Sequence, residues 1–132
     1  MRLLALYLGA AVSCLASMAA QADCLKANTP GQIVEGRLTS VVITIDDYKL
    51  KERPYILRLD SDACLEGSDD IDKVEATRRV HVYGPDDALR RKLRSAVGKR
   101  VRVTGSPFGE HTAHHHAPIV MGLSALEVMP RK

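Results

Sequence analysis

RRVHVYGPDDALRRKLRSAVGKRVRVT, residues 78 to 104, is the stretch whose reading decides the fold. Val80 and Val82 alternate with Arg79, His81 and Tyr83, the period-two pattern of a strand with one face buried. Gly84-Pro85 breaks that strand. Asp86 or Asp87 can then cap a helix in which Leu89, Leu93, Ala96 and Val97 form one apolar stripe, with Arg90, Arg91, Lys92 and Arg94 mostly on the other side. Gly98 supplies the usual C-terminal stop. From Lys99 to Thr104 the alternation returns, with Val101 and Val103 inward and Arg100, Arg102 and Thr104 outward. The basic side of the helix reads as a solvated face.

Downstream, Gly105 and Pro107 are expected to end the strand. His111, His114, His115 and His116 follow between Gly109 and Pro118, in a segment too interrupted for a helix and too polar for a core. That is a loop, and a final apolar strand runs on to Met129. Neutral imidazoles bind zinc or copper well, so the loop is a candidate metal site formed by His111, His114, His115 and His116. In an extended segment His114 and His116 share one face and His115 takes the other. Residues from elsewhere, such as His81 or Glu110, would have to complete a metal shell. The structural alternative is that the rings pack across the loop and donate to backbone carbonyls.

Upstream, Asn28-Thr29-Pro30-Gly31 is turn chemistry ahead of a long β-branched run from Ile33 to Ile45. Its inward phase changes from Val34, Gly36 and Leu38 to Val41, Ile43 and Ile45, which predicts a bulge or bend near Thr39-Ser40, so that the first strand serves two sides of a barrel. Asp46 to Arg53 is a charged connection. Tyr55, Leu57 and Leu59 alternate with Ile56 and Arg58 as a second strand, and the acidic stretch from Asp60 to Thr77 reads as mostly loop. The order is strand, strand, strand, helix, strand, strand. It predicts a mainly β fold, a small five-stranded OB-like barrel with one helix between strands three and four.

Residues 1–22 carry Arg2, an apolar run from Leu3 to Val12 and an Ala20-Gln21-Ala22 cleavage pattern, which together predict a signal peptide ahead of a single domain at 23–132. Export leaves Cys24 and Cys64, expected to form a disulfide in an oxidising compartment, the periplasm or outside the cell. Without Arg2, 18 of the 19 Lys and Arg oppose 16 Asp and Glu. That balance does not mark a polyanion binder. The charges are nevertheless segregated, acidic from Asp60 to Glu75 and basic from Arg78 to Arg102, and the simple account is two solvated surfaces.

No nucleophile elbow, phosphate loop or zincin helix is present, so nothing points to catalysis. Nucleic acid is not expected either. Tyr48, Tyr55, Tyr83 and Phe108 are few platforms for base stacking. Thr112-Ala113-His114-His115-His116-Ala117-Pro118, with Gly36-Arg37-Leu38, Tyr55 to Asp60, Cys64 and Val101 to Gly105, resembles a family of small exported bacterial proteins that carry an uncharacterised domain with a Thr-x-His-His-His-x-Pro motif. Ala117 stands where that motif has threonine. The resemblance implies export and this fold, and no activity.

Two functions follow as expectations. One is a monomeric, non-catalytic envelope module that binds a protein or small molecule across strands two and three, through Arg58, His81 and Tyr83. The other is a metal-binding protein that uses the histidine loop. An OB-fold brings the loop between strands four and five beside that face, with the loop between strands one and two on its other flank. Part of the histidine triplet is therefore expected near His81, Tyr83 or Arg58.

Overall fold

The computed structural model describes residues 23–131, so the signal peptide expected over residues 1–22 lies outside the described residues. Strands β1 (Leu25–Lys26), β2 (Gln32–Ser40), β3 (Ile43–Ile45), β4 (Leu50–Glu52), β5 (Tyr55–Glu66) and β6 (Val74–Tyr83) precede helix α1 (Asp87–Ala96), and β7 (Arg100–Gly109) and β8 (Ile119–Val128) follow it. Neighbours run β5-β2-β7-β8-β6, and β6 pairs back onto β5. This closes a five-stranded barrel. All of its seams are antiparallel except β6 with β8, which is parallel. The expected OB-like barrel is the fold observed.

Alternation fills the barrel. Val34 and Leu38 of β2, Leu57 and Leu59 of β5, Val80 and Val82 of β6, Val101 and Val103 of β7, and Ile119, Met121 and Leu123 of β8 form one buried cluster. Leu89, Leu93 and Ala96 of α1 join it from one end. The Asp86 carboxylate caps the helix by accepting from the Leu89 N–H at 2.8 Å. Val97, expected in the apolar stripe, is instead 41% exposed. The helix stops at Ala96, Val97 is extended, and Gly98 takes φ +84° to turn the chain into β7. The Gly98 N–H then donates to the Leu38 carbonyl.

Other local expectations are corrected. Gly105 and Pro107 do not end β7, which continues to Gly109. At Gly105 the register against β8 shifts, and a Cβ there would overlap the Gly122 carbonyl oxygen, so glycine permits a bulge that keeps the strands together. Beyond Gly105 the strand has left β2 and its ladder is with β8, while on the other side the Pro107 carbonyl accepts from Asn28 N–H at 2.7 Å, so Pro107, which has no N–H, sits where a strand ladder is needed on only one side. The bulged, acidic stretch after Leu59 is also strand as far as Glu66, and β6 begins at Val74 rather than Arg78. Its acids point outward to cations: Arg100 bonds Asp60, and Arg78 donates to Asp62 at 3.1 Å.

The first strand serves two sides of the barrel as expected, pairing with β7 over residues 32–37 and with β5 over residues 36–40, but the change of phase near Thr39-Ser40 is not a bulge within it. β2 ends at Ser40, and the chain leaves to form a separate hairpin in which β3 pairs with β4. The change of phase therefore marks an exit, and the charged connection contains a strand of its own. The disulfide expected between Cys24 and Cys64 is present, but Cys64 lies within β5 rather than in a loop. It fastens the start of the described chain beside β1, which runs parallel to β5. Closing a separation of 40 residues restricts the unfolded chain by about 4 kcal/mol. No helix among the described residues is long and apolar enough to cross a membrane.

Candidate functional site

The outward residues of the barrel form rows across its strands. In one row Thr39 faces Ile56, Ile56 faces His81, His81 faces Val120, and Val120 faces Phe108. Ile56 and Val120 are buried, yet neither belongs to the interior cluster. They are covered from outside. His116 of the histidine loop packs on His81, which lies between them in the row, and Ala117 of the same loop is also buried outside that cluster. A threonine hydroxyl at position 117 would need a hydrogen-bond partner in that buried setting.

The loop is closed at its base by Glu110 N–H donating to the Pro118 carbonyl, and turned by His115 N–H donating to the Thr112 carbonyl at 3.1 Å. Its histidines separate into two pairs. His114 and His116 converge on Glu52 at the end of the β3–β4 hairpin: His114 Nδ1 bonds Oε1, and His116 Nε2 bonds Oε2 at 2.7 Å. The loops on the two flanks of the β5–β6 face are thus tied by one carboxylate. Hydrogen bonds from His116 first and His114 second hold Glu52 below the ordinary carboxylate range.

His116 also meets the barrel. Its backbone N–H donates to His81 Nδ1 at 3.2 Å, and the two rings lie 5.6 Å apart. Burial pushes His81 down to about 4, with the nearby His116 and His115 acting in the same direction. A neutral ring suits its role as acceptor. The expected approach of the triplet to His81 is therefore what the structure shows. Arg58, exposed on β5, and Tyr83, whose ring lies beside Gly122, stand outside this cluster.

The other two histidines pack on Phe108. His111 and His115 rings are 4.7 Å apart and lie 5.5 and 5.3 Å from the Phe108 ring. His111 N–H donates to His115 Nδ1, and His111 Nδ1 donates to the Gly109 carbonyl. Burial, followed by His111, lowers the pKa of His115. Beside them Asp72 is buried, accepting from Gly109 N–H at 2.9 Å and from Asn28 Nδ2 at 3.0 Å. The four candidate metal ligands are thus divided, two on a carboxylate and two on an aromatic ring. Among the described residues no group of three or more His, Cys, Asp or Glu is placed to hold an ion.

Glu52 is the site residue that sequence reasoning missed. It lies 62 positions before His114 among other charged residues, with no motif around it. The flank assigned to the loop between strands one and two is the signal that could have narrowed the search to residues 46 to 53.

The family description Domain of unknown function (DUF4431) matches residues 79–127. That span includes His81, Tyr83 and the whole histidine loop, whereas Glu52 and Arg58 precede it. No curated protein and no solved structure matches the chain.

Proposed function

We propose that this protein is an exported, monomeric envelope module that binds its ligand without chemical conversion, on the outer face of β5 and β6 through Arg58, His81 and Tyr83. The observation that carries this reading is the Glu52 clasp with His114 and His116, which fixes the two flanking loops as a rim beside the face. Ligand sites of OB-type barrels lie between those loops, and a rim ordered before binding lowers the entropy cost of association. The Cys24–Cys64 disulfide supports an oxidising compartment such as the periplasm or the cell exterior.

Amide NMR titration of the 23–132 protein with a neutral chito-oligosaccharide, a short peptide and polygalacturonate tests the face. Shifts centred on Arg58, His81 and Tyr83, with the probe recovered unchanged, are expected. Shifts confined to the far side around Ala125 would overturn the assignment.

A second reading, zinc or copper binding, is favoured by the donor chemistry at Glu52, two imidazoles and a carboxylate. Each ring nitrogen addresses its own oxygen, so an ion would have to displace both bonds. Elemental analysis and metal titration of the wild type beside a His114→Ala, His116→Ala variant decide it. Equal, weak uptake by both would leave the binding module alone.

A further inference from the structure

We infer that the ligand of this face is an unbranched polyanion without stacking bases, held along a row of four arginines that strand register assembles and the overall charge balance does not disclose; this rests on the binding-module reading above. The register puts Arg100 of β7 opposite Arg37 of β2, Arg37 opposite Arg58 of β5, and Arg58 opposite Arg79 of β6. With strands about 4.8 Å apart, the row covers roughly 14 Å around the barrel.

Like charges directly opposite one another destabilise a sheet, and such positions ordinarily take opposite charges. The adjacent row of this same barrel does so. Arg102 stands between Glu35 and Glu127 and bonds Glu35 at 2.8 Å. Arg100, at the end of the arginine row, is bound by Asp60 and also pairs with Glu35 at 3.6 Å, and Arg37 donates to the Gly98 carbonyl. Arg58 and Arg79 have no ion-pair or side-chain hydrogen-bond partner among the described residues. Two exposed arginines therefore stand at directly opposed positions, each with a guanidinium able to take an anionic oxygen pair.

The row leads at its β7 end into a cavity of about 630 Å³ lined by Arg37, Lys99, Arg100 and Arg131. The path is also narrow. Glu35 and Glu127 border it on one side, and the row covered by the histidine loop borders it on the other. A thread of anions fits between them, while a broad anionic surface would meet the carboxylates. No aromatic side chain stands in the row, so nothing there rewards a base.

The test measures binding of the 23–132 protein to polygalacturonate, inorganic polyphosphate and oligothymidylate. Three proteins are compared: wild type, Arg58→Gln/Arg79→Gln, and the charge-matched control Arg91→Gln/Arg94→Gln on the exposed side of α1. Either of the first two probes should bind the wild type. The row variant should weaken it about tenfold or more and lower the slope of log affinity against log salt by about two, with the control unchanged. The probe that binds tells a uronate source from a phosphate source.

Failure of both, preferential binding of oligothymidylate, or equal loss in the control would overturn the inference. If the neutral chito-oligosaccharide or the peptide shifts Arg58, His81 and Tyr83 while the polyanions do not bind, the face survives and the polyanion does not. Thermal melts of each variant confirm that loss of binding is not loss of fold.

Discussion

The barrel has two buried layers of opposite chemistry. The inner one is made of aliphatic side chains such as Leu38, Leu57, Val101 and Met121. The outer one, over Ile56, Val120 and Ala117, is closed by His81, His116 and Glu52. Apolar burial does not depend on protonation, whereas the bonds that tie the outer layer to the barrel and to the β3–β4 hairpin use His81 and Glu52, two groups that titrate. One molecule thus has a frame indifferent to acid and a cover sensitive to it.

The largest expected effect breaks the frame. Leu57→Ala, at a fully buried position, should cost about 2 to 5 kcal/mol in urea unfolding, and by the same amount at pH 7.5 and pH 5. A cost that changed strongly with pH would show that the two layers are not separable.

The next sharpens the difference. Folded His81 stays neutral down to about 4, while in the unfolded chain it takes up a proton near its ordinary value of 6.5. Stability from this group is therefore complete above pH 6.5, falls as the pH drops toward 4, and levels off below. Allowing for its partial exposure, the loss is on the order of 1 to 2 kcal/mol. His81→Gln, which keeps an acceptor for His116 N–H, should flatten stability across that window.

Glu52→Gln acts more locally. It leaves the frame intact and loosens the rim, so hydrogen exchange at His114 to Ala117 should accelerate while amides of β7 keep their protection. The depressed carboxyl of Glu52 gives wild type the same sign of behaviour: its stabilisation is complete above the ordinary carboxylate pKa and is lost as the pH falls from there through the lower folded-state value, where the clasp itself opens. Unchanged loop exchange in the variant would count against a clasp. Smallest is His111→Ala, on the aromatic half of the loop. It should cost below about 1 kcal/mol, since an exposed ring contact is modest, and leave the exchange of His116 unaltered.

The inner layer was legible because strand alternation and the helical stripe are local patterns, and Val80, Val82, Leu89, Leu93, Val101 and Val103 all display them. Errors arose where residue type and environment part company. Asp60 and Asp62 look like loop residues, yet their neighbours in the fold are Arg100 and Arg78. Pro107 looks like a strand terminator, yet it pairs on one side only. The outer layer was half legible: the histidines are conspicuous, but their division between Glu52 and Phe108 depends on the exit of the chain at Ser40, which the change of phase disclosed without its direction. The arginine row could not be read from spacing at all. Its members lie on four strands, and only register aligns them.

Barrel closure is also a sequence of events in time. β5 with β6 and β7 with β8 are neighbours along the chain, and each pair can zip antiparallel early. The parallel β6–β8 seam and the β2–β7 pairing, which joins positions as distant as Gln32 and Gly105, must first overcome loop-closure entropy and so come late. Until they do, the edges of β2, β6 and β8 are unpaired templates for another chain. Refolding should therefore lose material to aggregation in proportion to protein concentration during that interval, and cease to do so once the parallel seam has formed.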